Sequence, residues 1–176
     1  MFLIVFTILR SDVEKELVSM YRKVEDFIQE WKQESYLTSA VLDAVSDEKL
    51  GQAIEEGHNT LGWLGWHLTT SPVFFVGQLG VNLDVELAEK QPSSASVIKD
   101  SYDRVSQALL QAMEKIESDS FMEEELEALG ATMTKGTMLR MLVSHQTHHR
   151  GQMTVLLRQA GLTVPGVYGP TKEQTN

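Results

Sequence analysis

The chain has 176 residues and no cysteine, which excludes disulfides, thiolate metal ligands and cysteine nucleophiles, so any metal site must use nitrogen and oxygen ligands. Its net charge of −10, from 15 Lys and Arg against 25 Asp and Glu, repels phosphate backbones and anionic bilayers, so we expect neither nucleic acid nor a membrane as partner. A hydrophobic content of 42% predicts one globular domain that buries a core.

The first segment, residues 1–19, is interpreted as an N-terminal extension without an assigned role. Its first ten residues are apolar but too short to span a bilayer. They also lack a basic leader and a small-residue cleavage site, so we expect a cytoplasmic protein rather than a secreted one. The alternative is a strand or helical turn that packs on the domain.

Residues 20–170 carry four long helical patterns and few strand signals, which predicts an all-α four-helix bundle, followed by a tail at 171–176. Pro72 should kink or restart the second helix, and Gly161 should end the fourth. The connections 84–94 and 117–135 are long enough to predict crossover loops instead of a simple up-down-up-down order. The predicted helices cover about 19–44, 60–79, 94–116 and 137–160.

Three of the five histidines lie within residues 145–149. Helical spacing places His145 and His149 one turn apart on the apolar face, where two imidazoles can reach one metal ion. His148 lies at the edge of that face and ranks lower as a ligand. The alternative is a set of solvated or hydrogen-bonded core histidines. The apolar face also contains Met138, Leu142, Gln152 and Leu156.

His67 is the candidate third ligand, because it lies in the almost wholly apolar segment 60–68 and shares a stripe with Trp63 and Phe74. We expect His67 to face another helix. His58 precedes this helix and reads as a loop residue, with Asn59 or Thr60 as N-cap, so it is left out of the site.

Residues near this cluster also receive predicted roles. Gln152 would orient a ligand or a metal-bound water, or else be a core amide bonded to the backbone. Arg150 and Gly151 point away from the metal face, so the arginine should pair with an acidic side chain and the glycine should permit close helix approach. The large apolar side chains expected in the core are Trp63, Trp66, Phe74, Phe75, Met138 and Met141.

Three motifs together resemble the DinB family over roughly residues 20–170. They are His-Gln-Thr-His-His-Arg-Gly-Gln at 145–152, Leu-Gly-Trp-Leu-Gly-Trp-His at 61–67, and the tail 158–170. The resemblance implies a four-helix bundle, often a homodimer, in which His67, His145 and His149 hold a divalent metal. Zn²⁺, Ni²⁺, Fe²⁺ and Mn²⁺ are all compatible with histidine ligands, and water or substrate would occupy the remaining positions.

The resemblance also implies a function. Some relatives resemble transferases that use bacillithiol, mycothiol or glutathione, and others are described only as metal-dependent hydrolases. We therefore expect an enzyme in which the metal activates a low-molecular-weight thiol for transfer to a small-molecule electrophile. The alternatives are a hydrolase, or a non-catalytic stress-response bundle that binds a metal or small molecule. Gln146 stands where helical zinc proteases place their general-base glutamate, which disfavours the hydrolase.

Overall fold

The computed structural model describes residues 21–174, in which four long helices form a bundle, as the sequence predicts. The predicted extension at 1–19 lies outside the described residues. No helix within 21–174 combines the length and the apolar character needed to cross a membrane. The helices are α1 (Val24–Asp43), α2 (Leu61–Gln78), α3 (Ala95–Met113) and α4 (Lys135–Gln159).

The helices run up-down-down-up. The first turns of α1 and α4 share one apolar cluster with the last turns of α2 and α3, and the opposite helix ends share a second cluster. Because α2 and α3 are parallel neighbours, the connection 79–94 must return along the bundle as a crossover, as predicted. The prediction of a second crossover at 117–135 is wrong. Helix α3 ends and α4 begins in the same apolar cluster, so this connection stays at one end of the bundle.

Between the two apolar clusters lies a layer of buried polar side chains at mid-height. Arg150 of α4 is 1% exposed and donates to the Glu34 carboxylate of α1 at 2.6 Å and to the Thr38 hydroxyl at 3.1 Å. Such partners are required because an unpaired buried charge is costly. The layer therefore ties α4 to α1. Its members are Glu34, Ser35, Thr38, Thr69, Ser71, Ser106, Gln146 and Arg150.

A short hairpin replaces part of the loop predicted at 117–135. Strand β1 (Glu125–Ala128) pairs antiparallel with β2 (Ala131–Thr134). Leu129 and Gly130 both have positive φ, 55° and 83°, as a two-residue hairpin turn requires. Polar and apolar residues alternate along β1, but four residues are too few to give a strong periodic signal. The hairpin covers the end of the bundle where α4 begins.

Side-chain hydrogen bonds to backbone N–H groups mark where two of the helices begin. Thr60 is the N-cap of α2, as predicted, and its hydroxyl accepts the Trp63 N–H at 3.1 Å. Helix α1 begins at Val24 instead of near residue 19, where the Val24 N–H donates to the Asp119 carboxylate at 3.0 Å. Helix α2 is not restarted at Pro72 but continues through it to residue 78.

The segment after α4 lies against the bundle, as predicted for a chain that cannot continue the helix. Gly161 takes a φ of 75° just after the last helical turn, a conformation that favours glycine. Val164 is buried in the second apolar cluster. The Tyr168 hydroxyl donates to the Glu34 carboxylate at 2.6 Å and also contacts the Arg150 guanidinium. The tail is therefore anchored to the polar layer.

Candidate metal centre

His67, His145 and His149 converge where α2 meets α4. One nitrogen from each ring lies within 4.8 Å of the other two, and Nε2 of His67 is 3.0 Å from Nε2 of His145. The rings of His145 and His149, one helical turn apart, have centroids separated by 4.4 Å. The structure thus brings together the three histidines that were singled out from the sequence.

Burial keeps these imidazoles neutral. Burial, with a smaller contribution from charge on the neighbouring histidines, lowers the pKa of His67 to about 4 and that of His145 to about 3. The pKa of His149 is also lowered, chiefly by burial. At neutral pH each ring therefore keeps a nitrogen lone pair that is available to a cation.

The donor set fits a divalent metal ion. Two Nε2 atoms 3.0 Å apart match the separation of two ligands that each lie about 2.1 Å from one ion. In residues 21–174, no carboxylate joins the three histidines in this group. A site with three protein ligands resembles catalytic metal sites, which leave a position open for water or substrate, more than closed structural sites.

Gln152 contacts the centre from the solvent side. Its Oε1 lies 2.8 Å from Nδ1 of His149, so Nδ1 can donate its proton to the amide and leave Nε2 as the ring nitrogen with a lone pair. The Nε2 of Gln152 lies 3.3 Å from Nε2 of His148. Gln152 is exposed, so it is not the core amide of the alternative interpretation.

Aromatic rings flank two of the histidines. Trp63 stacks on His67 with 4.7 Å between centroids, and Phe75 lies 5.4 Å from the ring of His145. The buried Nδ1 of His145 has no hydrogen-bond partner among the described residues. The Nδ1 side of the His145 ring is therefore held by packing, including that of Phe75, and its Nε2 contacts His67, whereas Nδ1 of His149 is held by a hydrogen bond.

The neighbouring motif residues lie apart from the centre. His148 is exposed and outside the group of three, in keeping with its lower rank. The predicted acidic partner of Arg150 is confirmed as Glu34. Gly151 is exposed, and no residue within 21–174 lies within 4 Å of its Cβ position, so the prediction that it permits close helix approach is wrong for the described helices.

Two aromatic residues near the site are exposed, although they were predicted to lie in the core. Trp63 is 40% and Phe74 is 47% exposed, whereas both were expected to be buried. Their stripe on α2 faces solvent beside His67, and the centre therefore lies at the surface of the bundle. Phe75 and Met138 are buried as expected, and Trp66 and Met141 are half-buried.

Gln146 is a site neighbour that sequence reasoning missed. It was considered only as the residue that replaces a catalytic glutamate, yet its side chain is fully buried and turned away from the histidines. Its Nε2 donates to the Leu68 carbonyl of α2 at 3.0 Å. Pro72 is the sequence feature that indicates such a contact, because proline has no N–H for the Leu68 carbonyl, which then needs a donor from another helix.

Comparison with known proteins agrees with this architecture. YrdA of Bacillus subtilis, an uncharacterized protein, is 40% identical over 160 residues, which span 88% of this chain and 93% of YrdA. The crystal structure of a DinB-like protein from Bacillus cereus, 41% identical, superimposes with a TM-score of 0.80 over 85% of this chain and 100% of that one.

A second DinB-like structure, YjoA of Bacillus subtilis, has the same fold at 17% identity, with a TM-score of 0.66 over 81% of this chain and 97% of that one. The model of the DinB family matches residues 20–176. That match spans the whole described bundle, including all three histidines. The chain therefore belongs to the DinB family.

Proposed function

We propose that this protein is a divalent-metal-dependent enzyme that activates a low-molecular-weight thiol for transfer to an electrophilic small molecule. The observation that carries the proposal is the group of three neutral histidine nitrogens within 4.8 Å of one another. His67, His145 and His149 would hold Zn²⁺, Ni²⁺, Fe²⁺ or Mn²⁺, all of which imidazole ligands accept. A bound ion would supply the positive charge that lowers the pKa of a thiol.

The surroundings of the histidines favour a thiol over water as the nucleophile. No carboxylate joins the three histidines among the described residues, so none is placed beside them as a general base for water. A thiol, with a pKa of about 8.5, needs less assistance from a bound metal ion than water, whose pKa is about 16 in bulk and falls to about 7 only on Zn²⁺. The chain has no cysteine, so the thiol must come from a small molecule such as bacillithiol, mycothiol or glutathione.

The chain's own residues would orient the reactants and limit access of water. Gln152 holds the Nδ1 proton of His149 and so keeps Nε2 directed into the site. Trp63 covers one face of His67 and remains 40% exposed, so it offers an apolar surface beside the site for the electrophile. Phe75 closes the buried side next to His145.

The test begins with metal content. Untagged protein is reconstituted with each of the four ions and analysed by elemental mass spectrometry, with His67→Ala and His145→Ala as variants and His148→Ala as the matched control. We expect about one ion per chain, lost in the first two variants and retained in the third. Equal loss in all three would contradict the assigned ligands.

Loaded protein is then incubated with bacillithiol, mycothiol or glutathione and an alkyl halide or epoxide, and thioether formation is followed by mass spectrometry. Thioether formed by the loaded chain and not by His145→Ala supports the transferase. Metal binding without turnover of any pair would favour the non-catalytic bundle. Hydrolysis of ester substrates without thioether formation would favour the hydrolase.

A further inference from the structure

Pro72 alters the hydrogen bonding of α2 just after His67. Proline lacks an N–H, so the carbonyl four residues earlier, that of Leu68, has no helical donor. Gln146 of α4 donates to this carbonyl at 3.0 Å and to the Ser71 hydroxyl at 3.2 Å. The Tyr102 hydroxyl donates to Oε1 of the same amide at 3.3 Å. Both ends of the Gln146 amide are therefore bonded inside the core.

This contact joins positions adjacent to two candidate ligands. Gln146 follows His145 in α4, and Leu68 follows His67 in α2, so the bond lies one residue from both rings whose Nε2 atoms are 3.0 Å apart. A shift of one helix by one residue moves it about 1.5 Å and turns it about 100°, which would break a directional hydrogen bond. Apolar packing is not directional and discriminates less sharply between such positions.

We propose that Gln146 is a positioning residue for the histidine centre: it uses the carbonyl that Pro72 leaves open to fix His67 relative to His145. The inference rests on the proposed metal centre. Both ends of the buried Gln146 amide are bonded to Leu68, Ser71 and Tyr102, so it is not itself a candidate ligand. Metal ligands must be held within about 0.5 Å of their binding geometry, which is the accuracy that such a bond provides.

The test distinguishes two roles for Gln146: placing the histidines relative to each other, or only supplying a hydrogen bond to the buried Leu68 carbonyl. In Pro72→Ala, the new N–H at position 72 gives Leu68 its helical donor, so the loss of Gln146 no longer leaves that carbonyl unbonded. Co²⁺ titrations, followed by the visible d–d absorption of the ion, are made on the unmodified chain, Gln146→Met, Pro72→Ala and the double variant. Thermal unfolding is measured for all four.

We expect Gln146→Met to weaken Co²⁺ affinity at least tenfold and to change the d–d spectrum. The double variant should regain thermal stability relative to Gln146→Met and yet bind Co²⁺ at least tenfold more weakly than Pro72→Ala. If Gln146→Met does not fold, this second comparison carries the test. Leu142→Met, which changes packing one turn earlier in α4, is the control and should change affinity less than twofold.

Three results would overturn the inference. Unchanged affinity in Gln146→Met would remove any role at the centre. Affinity that recovers together with stability in the double variant would show that Gln146 only satisfies the Leu68 carbonyl. A failure of the unmodified chain to bind Co²⁺ would overturn the metal centre and the positioning role together, and is distinguishable from the first two results, in which the unmodified chain binds.

Discussion

Trp63 lies nearly parallel to the imidazole of His67, with 4.7 Å between ring centroids and 15° between planes. The same indole meets His149 edge-on at 6.5 Å. Because the face of an indole is electron-rich, positive charge acquired at His67 changes the environment of Trp63 directly. Trp63 is therefore an intrinsic reporter of the centre.

Zn²⁺ added to metal-free protein should change the tryptophan fluorescence and saturate near one equivalent per chain. Trp63→Phe should abolish most of the change, whereas Trp66→Phe, three residues further along α2, should preserve it. Emission is measured during titration at neutral pH, where the three histidines are neutral. A full response in Trp63→Phe would mean that the ion binds elsewhere.

The neutral histidines should make the metal-free fold sensitive to acid. The pKa values of His67 and His145 are lowered to about 4 and about 3, whereas an unfolded histidine titrates near 6.5. Between these values the unfolded chain binds protons that the folded chain does not, so the free energy of unfolding falls as pH falls below about 6.5. Each histidine contributes a slope of at most about 1.4 kcal/mol per pH unit, which partial exposure to solvent reduces.

Urea unfolding between pH 7 and pH 4 measures this slope. In His145→Gln one contribution is removed, so the slope between pH 6 and pH 4 should decrease by at most about 1.4 kcal/mol per unit relative to the unmodified chain. His58→Gln changes an exposed loop histidine and is the control, with a slope close to that of the unmodified chain. Parallel curves for all three proteins would contradict the lowered pKa of His145.

Much of the site could be predicted because helical periodicity is a strong signal. The spacing of His145 and His149, with His67 on a second helix, identified all three side chains that meet at the centre. The burial of each face was harder to predict. The stripe that contains Trp63 and Phe74 is apolar in sequence, yet it faces solvent. Periodicity shows which residues share a face, but it does not show which face is covered.

The tertiary hydrogen bonds could not be predicted in the same way. The partner of Arg150 was expected to be acidic, but its identity as Glu34 depends on the packing of α4 beside α1. The bond from Gln146 to Leu68 joins residues 78 positions apart, and no local pattern encodes such a pair. The hairpin at 125–134 was missed because each of its strands has only four residues.

The buried ion pair between Arg150 and Glu34 should be essential for stability. Glu34→Gln would leave the guanidinium, 1% exposed, without its counter-charge, and we expect the free energy of unfolding to fall by about 3–5 kcal/mol. Urea unfolding measures the loss. Because Arg150 follows His149, the variant should also weaken metal binding.

The chain offers a matched control in the more exposed pair Arg158 and Glu173, where the N to O distance is 3.2 Å. Glu173→Gln should cost far less than Glu34→Gln, since solvent screens an exposed pair. A similar, small loss in Glu34→Gln would show that the polar layer tolerates an unpaired Arg150, contrary to the cost expected for a buried charge.

Two glycines in helices that carry candidate ligands should differ in how much stability a larger side chain costs. A Cβ at Gly65 of α2 would lie 3.0 Å from Cδ2 of Leu42 and 3.2 Å from Cγ2 of Ile98, so Gly65→Val should lower the free energy of unfolding by about 1–3 kcal/mol through overpacking. A Cβ at Gly151 of α4 would meet none of the residues 21–174 within 4 Å. Gly151→Val should therefore change stability by less than about 0.5 kcal/mol, because valine is only slightly better than glycine in a helix. Urea unfolding measures the stability change in both variants. A large loss in Gly151→Val would require a contact that residues 21–174 of a single chain do not make.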